Sequence, residues 1–332
     1  MIEKLTEAAI IIAFMVVAYI LAIVIHEFGH MCMGAMSGYS FVSFRIGPIE
    51  IVNESGHVKV SVKRITGVLG QCIMLPPDSK EPEKIPAIPY HLGGGLFNLL
   101  TALIALIIII VSKYYYLKVF CVLIGLFSFA LAALNLIPGI ISAPNDGYNA
   151  KLCHKSPADR KAIYHMLRVV GNLTLSPGEI PESEFSYSEE GVYAPIMAFL
   201  KGYHYLDRGD ISAAENLFEK CADKEKNSMA YYRIEACKDL LFCRLIRNAS
   251  KEEIEALLDT ELRDYLEKSK KNSLGSTRVL YAYYTLFEKN TAKAGEERQR
   301  TGVIIKSVCS GEAKMEKKLI DMVQGMPGGL LT

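Results

Sequence analysis

The feature that most limits what this chain can become is an unbroken run of 18 apolar residues, Ala8 to Ile25, close to its amino terminus. As a helix that run covers about 27 Å, close to the roughly 30 Å hydrocarbon core of a bilayer. Met1 to Lys4 could open a secretory signal, but no small-x-small cleavage site follows, so a retained membrane helix is expected. This span should extend to about Met36. Two more stretches, Ile88 to Val111 and Tyr116 to about Ile141, are also long and apolar enough to cross. No such run occurs after Gly147. With 332 residues, 51% of them hydrophobic, the chain is expected to divide into a membrane half (1–150) and a soluble half (151–332).

Charge and cysteine usage narrow the function classes. The net charge is +1, which gives no bulk electrostatic case for nucleic acid. The eight cysteines form no CxxC pair or dense framework and read as reduced, cytosol-facing or membrane-buried thiols. Orientation follows from Lys and Arg in the segments flanking the spans. Arg45, Lys59, Lys63, Arg64, Lys80 and Lys84 lie between the first two, and Lys151, Lys155, Arg160 and Lys161 follow the third. The opposite side carries only Lys4, Lys113 and Lys118. The expectation is a multi-pass protein of a bacterial-type cell membrane, amino terminus outside and carboxy-terminal domain cytosolic.

Between the first two spans, Tyr39 to Ile51 is β-rich, Asn53-Glu54-Ser55-Gly56 has turn chemistry, and His57 to Lys63 alternates polar with apolar. A β-hairpin or small sheet over 39–63 is expected. The proline-rich stretch from Pro76 to Pro89 is expected to be non-helical. The fold class is therefore a three-helix membrane core with a small β insertion, followed by an all-α domain. In that domain Gly202, Tyr205, Gly209-Asp210, Ala214, Phe218 and Cys221 fall at the positions of a tetratricopeptide-type helical hairpin. A second copy near Tyr281 to Glu297 keeps only Asn290 and Ala294 in register, so a helical-hairpin domain suited to a protein partner is expected, with an irregular bundle as the alternative.

The chemistry is concentrated in His26-Glu27-Phe28-Gly29-His30. On a helix His26 and His30 share a face one turn apart, so two imidazoles can reach one zinc ion with Glu27 beside them. Glu27 then takes a proton from a water activated by the metal and passes it to a leaving amine. Chance alone gives this pattern in roughly one such chain in a hundred. Its place directly after an apolar run argues against chance, because ionisable groups near lipid are costly and functional by default. At that position the metal lies near the cytosolic edge of the membrane. A catalytic zinc usually has three protein ligands. The best third candidate is Asp146, in a segment where Pro138, Pro144 and Gly147 break the third span; an exposed turn aspartate is the alternative.

Asn98 stands in an apolar helix and either bonds across helices or donates to the substrate carbonyl or its tetrahedral oxyanion. Gly93, Gly94 and Gly95 read as close-packing positions, since no strand precedes them and no P-loop lysine follows. His91 reads as a histidine at the membrane edge, with a polar site role as the alternative.

Together these motifs resemble the site-2 protease family of intramembrane zinc metalloproteases. The resemblance covers about residues 8–149. It rests on the His26–His30 motif, Gly38-Tyr39 with Phe44-Arg45-Ile46-Gly47, Gly94-Gly95-Leu96-Phe97-Asn98, and Asn135-Leu136-Ile137-Pro138 with Asp146-Gly147. It implies one zinc held by His26, His30 and Asp146, Glu27 as catalyst, and Asn98 as a polar active-site residue. The implied substrate is a single-pass membrane protein or a leftover signal peptide, which the β element either holds extended as an added strand or, as a short interfacial element capping the membrane half, does not touch. The spacing from Asn135 to Asp146 is longer than the family usually shows, which implies a short insertion. The resemblance does not reach the carboxy-terminal half, and no segment for an extracytoplasmic PDZ domain is seen. Two other readings remain. One is a gluzincin-type membrane endopeptidase with Glu219 of the Glu219-to-Asp223 ExxxD spacing as third ligand; the other is an inactive membrane scaffold that recruits partners through its helical domain.

Overall fold

The computed structural model describes residues 2–54, 56–62, 69–140, 143–175, 180–185, 191–225, 229–308 and 310–326. Ser55 of the expected turn, Lys63 and Arg64 of the orientation count, and Cys309 lie outside them. The chain forms two compact units, Met1–Ser61 with Gly67–Leu167 and Val62–Thr66 with Arg168–Thr332. The first unit thus runs beyond the composition shift near residue 150.

In the first unit α1 (Ile2–Met36) is followed by four strands: β1 (Ser40–Ile46), β2 (Ile49–Glu54), β3 (His57–Val62) and β4 (Gly70–Leu75). Then come α2 (Ile88–Val111), α3 (Tyr115–Leu136) and α4 (Asp146–Lys155), and α5 (Pro157–Leu175) begins here and ends in the second unit. The first three helices are long and apolar enough to cross a membrane. Their outer faces expose Ile12, Ile107, Ile110, Leu126 and Phe129, while His26, Glu27, His30, His91, Asn98 and Ser128 are buried. This is the reverse of the usual arrangement in water-soluble domains. Ala18, Ala105, Cys121 and Ile124 form the buried seam of the three helices, and the small side chains let the backbones come close.

The third apolar helix stops at Leu136, short of the expected Ile141. Ile137 is extended (φ −75°, ψ 116°) because the ring of Pro138 disfavours helical backbone in the residue before it. The proline-rich connection also departs from its expected form, since Pro82–Lys84 makes a 3-10 turn with proline at its start, where the missing N–H costs nothing.

The sheet is larger than a hairpin, with strand order β3-β2-β1-β4. The β-rich stretch after Tyr39 is two strands, split where Gly47 adopts φ +54°. On the other side of β1 lies β4, antiparallel, with Phe44 opposite Cys72 and Ile46 opposite Gly70.

In the second unit α6 (Ala194–Arg208) and α7 (Ile211–Ala222) form a helical hairpin. Gly209 at φ +80° closes α6, and the Asp210 carboxylate caps α7 by accepting from the Ala213 N–H at 3.0 Å. Gly202 leaves room for the Phe218 ring, whose Cε1 would lie 2.6 Å from any Cβ there. The helices α8 (Ala230–Ile246), α9 (Lys251–Leu257), α10 (Thr260–Ser269), α11 (Leu274–Ala282), α12 (Thr291–Ile304) and α13 (Ser310–Gln324) complete it. Between α11 and α12, Tyr283–Phe287 makes a π turn, Asn290 caps α12 and Ala294 is buried. The core of this unit holds a cluster of charges. Arg278 donates to Asp239 at 2.6 Å and to Glu316 at 2.7 Å, and Lys238 donates to Glu235 at 2.7 Å.

Candidate metal centre

Three helix ends meet at one end of the first unit: the carboxy-terminal half of α1, the amino-terminal half of α2, and the junction of α3 with α4. The helical period brings His26 and His30 to one face of α1, with their Nε2 atoms 3.1 Å apart. Asp146, the first residue of α4, places Oδ2 3.4 Å from Nε2 of His26 and 3.3 Å from Nε2 of His30. Among the described residues this is the group of three such ligand atoms that could hold a metal ion. A tetrahedral ion ligated at 2.0–2.1 Å has ligand atoms about 3.3 Å apart, so the triangle fits one face of such a site. Glu219 of the alternative reading sits on α7 in the second unit, exposed, and accepts from Arg244 Nη2 at 3.0 Å.

The imidazoles are oriented from behind. His30 Nδ1 lies 2.8 Å from the backbone oxygen of Tyr90. With Nε2 facing the shared point, Nδ1 carries the proton and donates it to that carbonyl. Asn98, fully buried, lies with its amide nitrogen 3.3 Å from His26 Nδ1, and its oxygen finds no partner among the described residues. A histidine that commits Nε2 to a cation needs an acceptor at Nδ1, so the pair is complete when the amide turns its oxygen to the imidazole. Of the two roles open for Asn98 in the sequence, the geometry gives the cross-helix bond a partner. Burial alone would raise the Asp146 carboxyl, but its hydrogen bonds with His26 and His30 outweigh that and hold it below the ordinary carboxylate range.

Glu27 is buried beside the ligands and interacts electrostatically with His26, His30 and Asp146. Its other neighbour is β4, where the Cys72 backbone N–H bonds to it. Any Cβ at Gly70 would sit 2.6 Å from Glu27 Oε1. The Cys72 carbonyl accepts from the Tyr90 hydroxyl at 2.9 Å, so one residue of β4 braces both Glu27 and the residue that orients His30. Burial pushes the Cys72 thiol up to about 12, which keeps it neutral.

The three consecutive glycines of α2 each face a different neighbour, since successive residues turn by about 100°. A Cβ on Gly93 would strike the Gly29 backbone, one on Gly94 would lie 2.5 Å from His30 Nε2, and one on Gly95 would lie 2.5 Å from Leu136 Cγ. Gly147 is similarly confined, against the Asn135 and Leu136 carbonyls. His91 is buried at 3% exposure, packed on Tyr90, and its Nε2 has no partner among the described residues.

Sequence reasoning missed β4 with Gly70 and Cys72, and missed Tyr90. Gly70 stands in a short stretch, Gly70-Gln71-Cys72-Ile73-Met74-Leu75, without regular alternation, and Tyr90 orients His30 through its main chain, which no side-chain pattern records. No family model matches the chain, and no curated protein or solved structure is detectably similar to it.

Proposed function

We propose that this chain is an intramembrane zinc metalloendopeptidase of the site-2 protease type, cutting a peptide bond in or near a membrane-spanning segment or a leftover signal peptide. The observation that carries this reading is the convergence of His26, His30 and Asp146 on one point, with Glu27 buried beside them. Two imidazoles and one carboxylate would hold zinc. The same set serves iron(II) as well; a neighbouring carboxylate that is free of the ligand set favours zinc hydrolysis. When bound, the ion supplies Lewis-acid chemistry, polarising the scissile carbonyl and lowering the pKa of water.

The protein's own residues do the rest. Glu27 accepts the proton of the attacking water and returns it to the leaving amine. The Tyr90 carbonyl, and Asn98 when its amide oxygen is turned to His26 Nδ1, hold the imidazoles in the tautomer that presents Nε2. An outer strand of the sheet receives the substrate extended, since a helical peptide bond is shielded from attack.

The amino terminus lies outside. The site is at the cytosolic edge of the bilayer, and Tyr114, Tyr115 and Tyr116, exposed at the opposite end of the helices, serve as an interfacial belt. The helical hairpins of the second unit recruit a protein partner.

The test uses the purified full chain in detergent. Wild type should carry one zinc and cleave a membrane-segment substrate, and Glu27→Gln should keep the zinc and lose cleavage. Equal cleavage by the two sinks the enzyme reading. Loss of zinc from Glu219→Ala but not from Asp146→Ala would transfer the third ligand to the gluzincin assignment.

A further inference from the structure

Between α3 and α4 the chain makes a loop whose base is closed by one side chain, Asn145. Its amide nitrogen donates to the carbonyls of Leu134 and Ile137, both at 2.7 Å, and its side-chain oxygen accepts from the N–H of Gly139 at 3.0 Å and of Tyr148 at 2.9 Å. An asparagine amide has two donor hydrogens and two acceptor lone pairs, so all four are used. The Asn145 backbone N–H adds a bond to Gly139 O at 3.0 Å, and Ile140 bridges Pro144.

These bonds have a common geometric effect. Leu134 and Ile137 carry the unpaired carbonyls at the end of α3, and Tyr148 carries an unpaired N–H in the first turn of α4. Asn145 therefore ties the last turn of one helix to the first turn of the next and pinches the intervening loop shut at Gly139. The next residue is Asp146, whose Oδ2 completes the triangle with His26 and His30. The contact of Gly147 with the Asn135 and Leu136 carbonyls fixes the same junction from the other side.

We infer that Asn145 is the positioning residue for Asp146: its amide staples the end of α3 to the start of α4 and so sets where the third ligand lies. This inference rests on the metal-centre reading above. It differs from simple helix capping, which would need only the bond from Tyr148. Serine at this position would supply the cap but could not reach Leu134, Ile137 and Gly139 together.

The experiment is cobalt(II) titration of the full chain in detergent, read by visible absorption and by metal affinity, for wild type, Asn145→Ala and Asn145→Ser. The expected result is a four-coordinate cobalt spectrum for wild type. Both variants should lose about 10- to 100-fold in affinity, with a weaker spectrum of higher coordination as solvent replaces Asp146. If wild type binds no cobalt, the metal-centre reading fails and the inference falls with it. If wild type binds and both variants match it in affinity and spectrum, only the positioning role is overturned. Wild-type behaviour of Asn145→Ser alone reduces Asn145 to a helix cap and also overturns the staple. Should Asn145→Ala not fold, the serine variant decides the question.

Discussion

Each unit buries a cluster of polar and ionisable side chains, and the two clusters balance charge in opposite ways. In the second unit Glu235, Lys238, Asp239, Arg278 and Glu316 are almost wholly buried, and each carboxylate touches a cation. Arg278 also stacks on Phe242, 4.1 Å from the ring centroid. Burial raises the Glu316 carboxyl against the pull of Arg278. In the first unit His26, His30 and Asp146 turn their acceptor atoms toward one point, and among the described residues no Lys or Arg is paired with them there. A cluster that supplies its own cations is complete as folded. One that gathers only acceptors is shaped for a cation from solution.

The largest expected effect tests that contrast on the catalytic side. Glu27→Gln should lower the rate of cleavage by about 10²- to 10⁴-fold while zinc content stays at wild-type level, measured by substrate turnover and metal analysis. Chelation should abolish cleavage as well, and added zinc should restore it in wild type but not in Asp146→Ala.

Next in size is the self-neutralised cluster. Arg278→Met leaves Asp239 and Glu316 buried without their shared partner and should cost about 3–5 kcal/mol in denaturant unfolding of the second unit, with no rescue by zinc. Replacing Arg278, Asp239 and Glu316 together by apolar residues of similar size should recover most of that loss. If the triple variant is as unstable as the single one, the cluster is more than a charge balance.

A smaller effect is expected from Asn98→Ala, about 10- to 100-fold in zinc affinity, with Asn98→Asp closer to wild type because it keeps an acceptor at His26 Nδ1. Identical affinities for wild type and Asn98→Ala would remove Asn98 from the support of His26. The smallest is Gly202→Ala, which crowds Phe218 and should cost about 1–3 kcal/mol in the second unit without altering zinc binding.

How far these features could be read in advance depended on their sequence range. The two histidines and Glu27 were legible because one helical turn sets both their spacing and their geometry. Asp146 was legible because prolines and a glycine mark where the helix must break. The alternation His57 to Val62 gave β3 correctly. By contrast β4, a short stretch at Gly70–Leu75 that shows no regular alternation, pairs with β1 some thirty positions earlier, and no local period distinguishes such a stretch from a buried helix. The Arg278 pairs join residues 38 and 39 positions apart, and charges so separated carry no pattern until the helices pack. Asn145 carries no signal of its own in the sequence, because the number of bonds an amide makes is set by which carbonyls the fold delivers to it.

The run Gly93-Gly94-Gly95 gives α2 a rotational phase. At that turn the helix is bare in three directions at once, toward α1, toward the imidazoles and toward α3, and each bare direction is matched to one neighbour. Inserting or deleting one residue between Pro89 and Gly93 would turn the remainder of α2 by about 100°. The seam with α1, the clearance for the ligands and the groove for Leu136 would then fail together, although no residue of the site had been replaced. This stretch of the chain is more sensitive to a change in count than to most changes in kind.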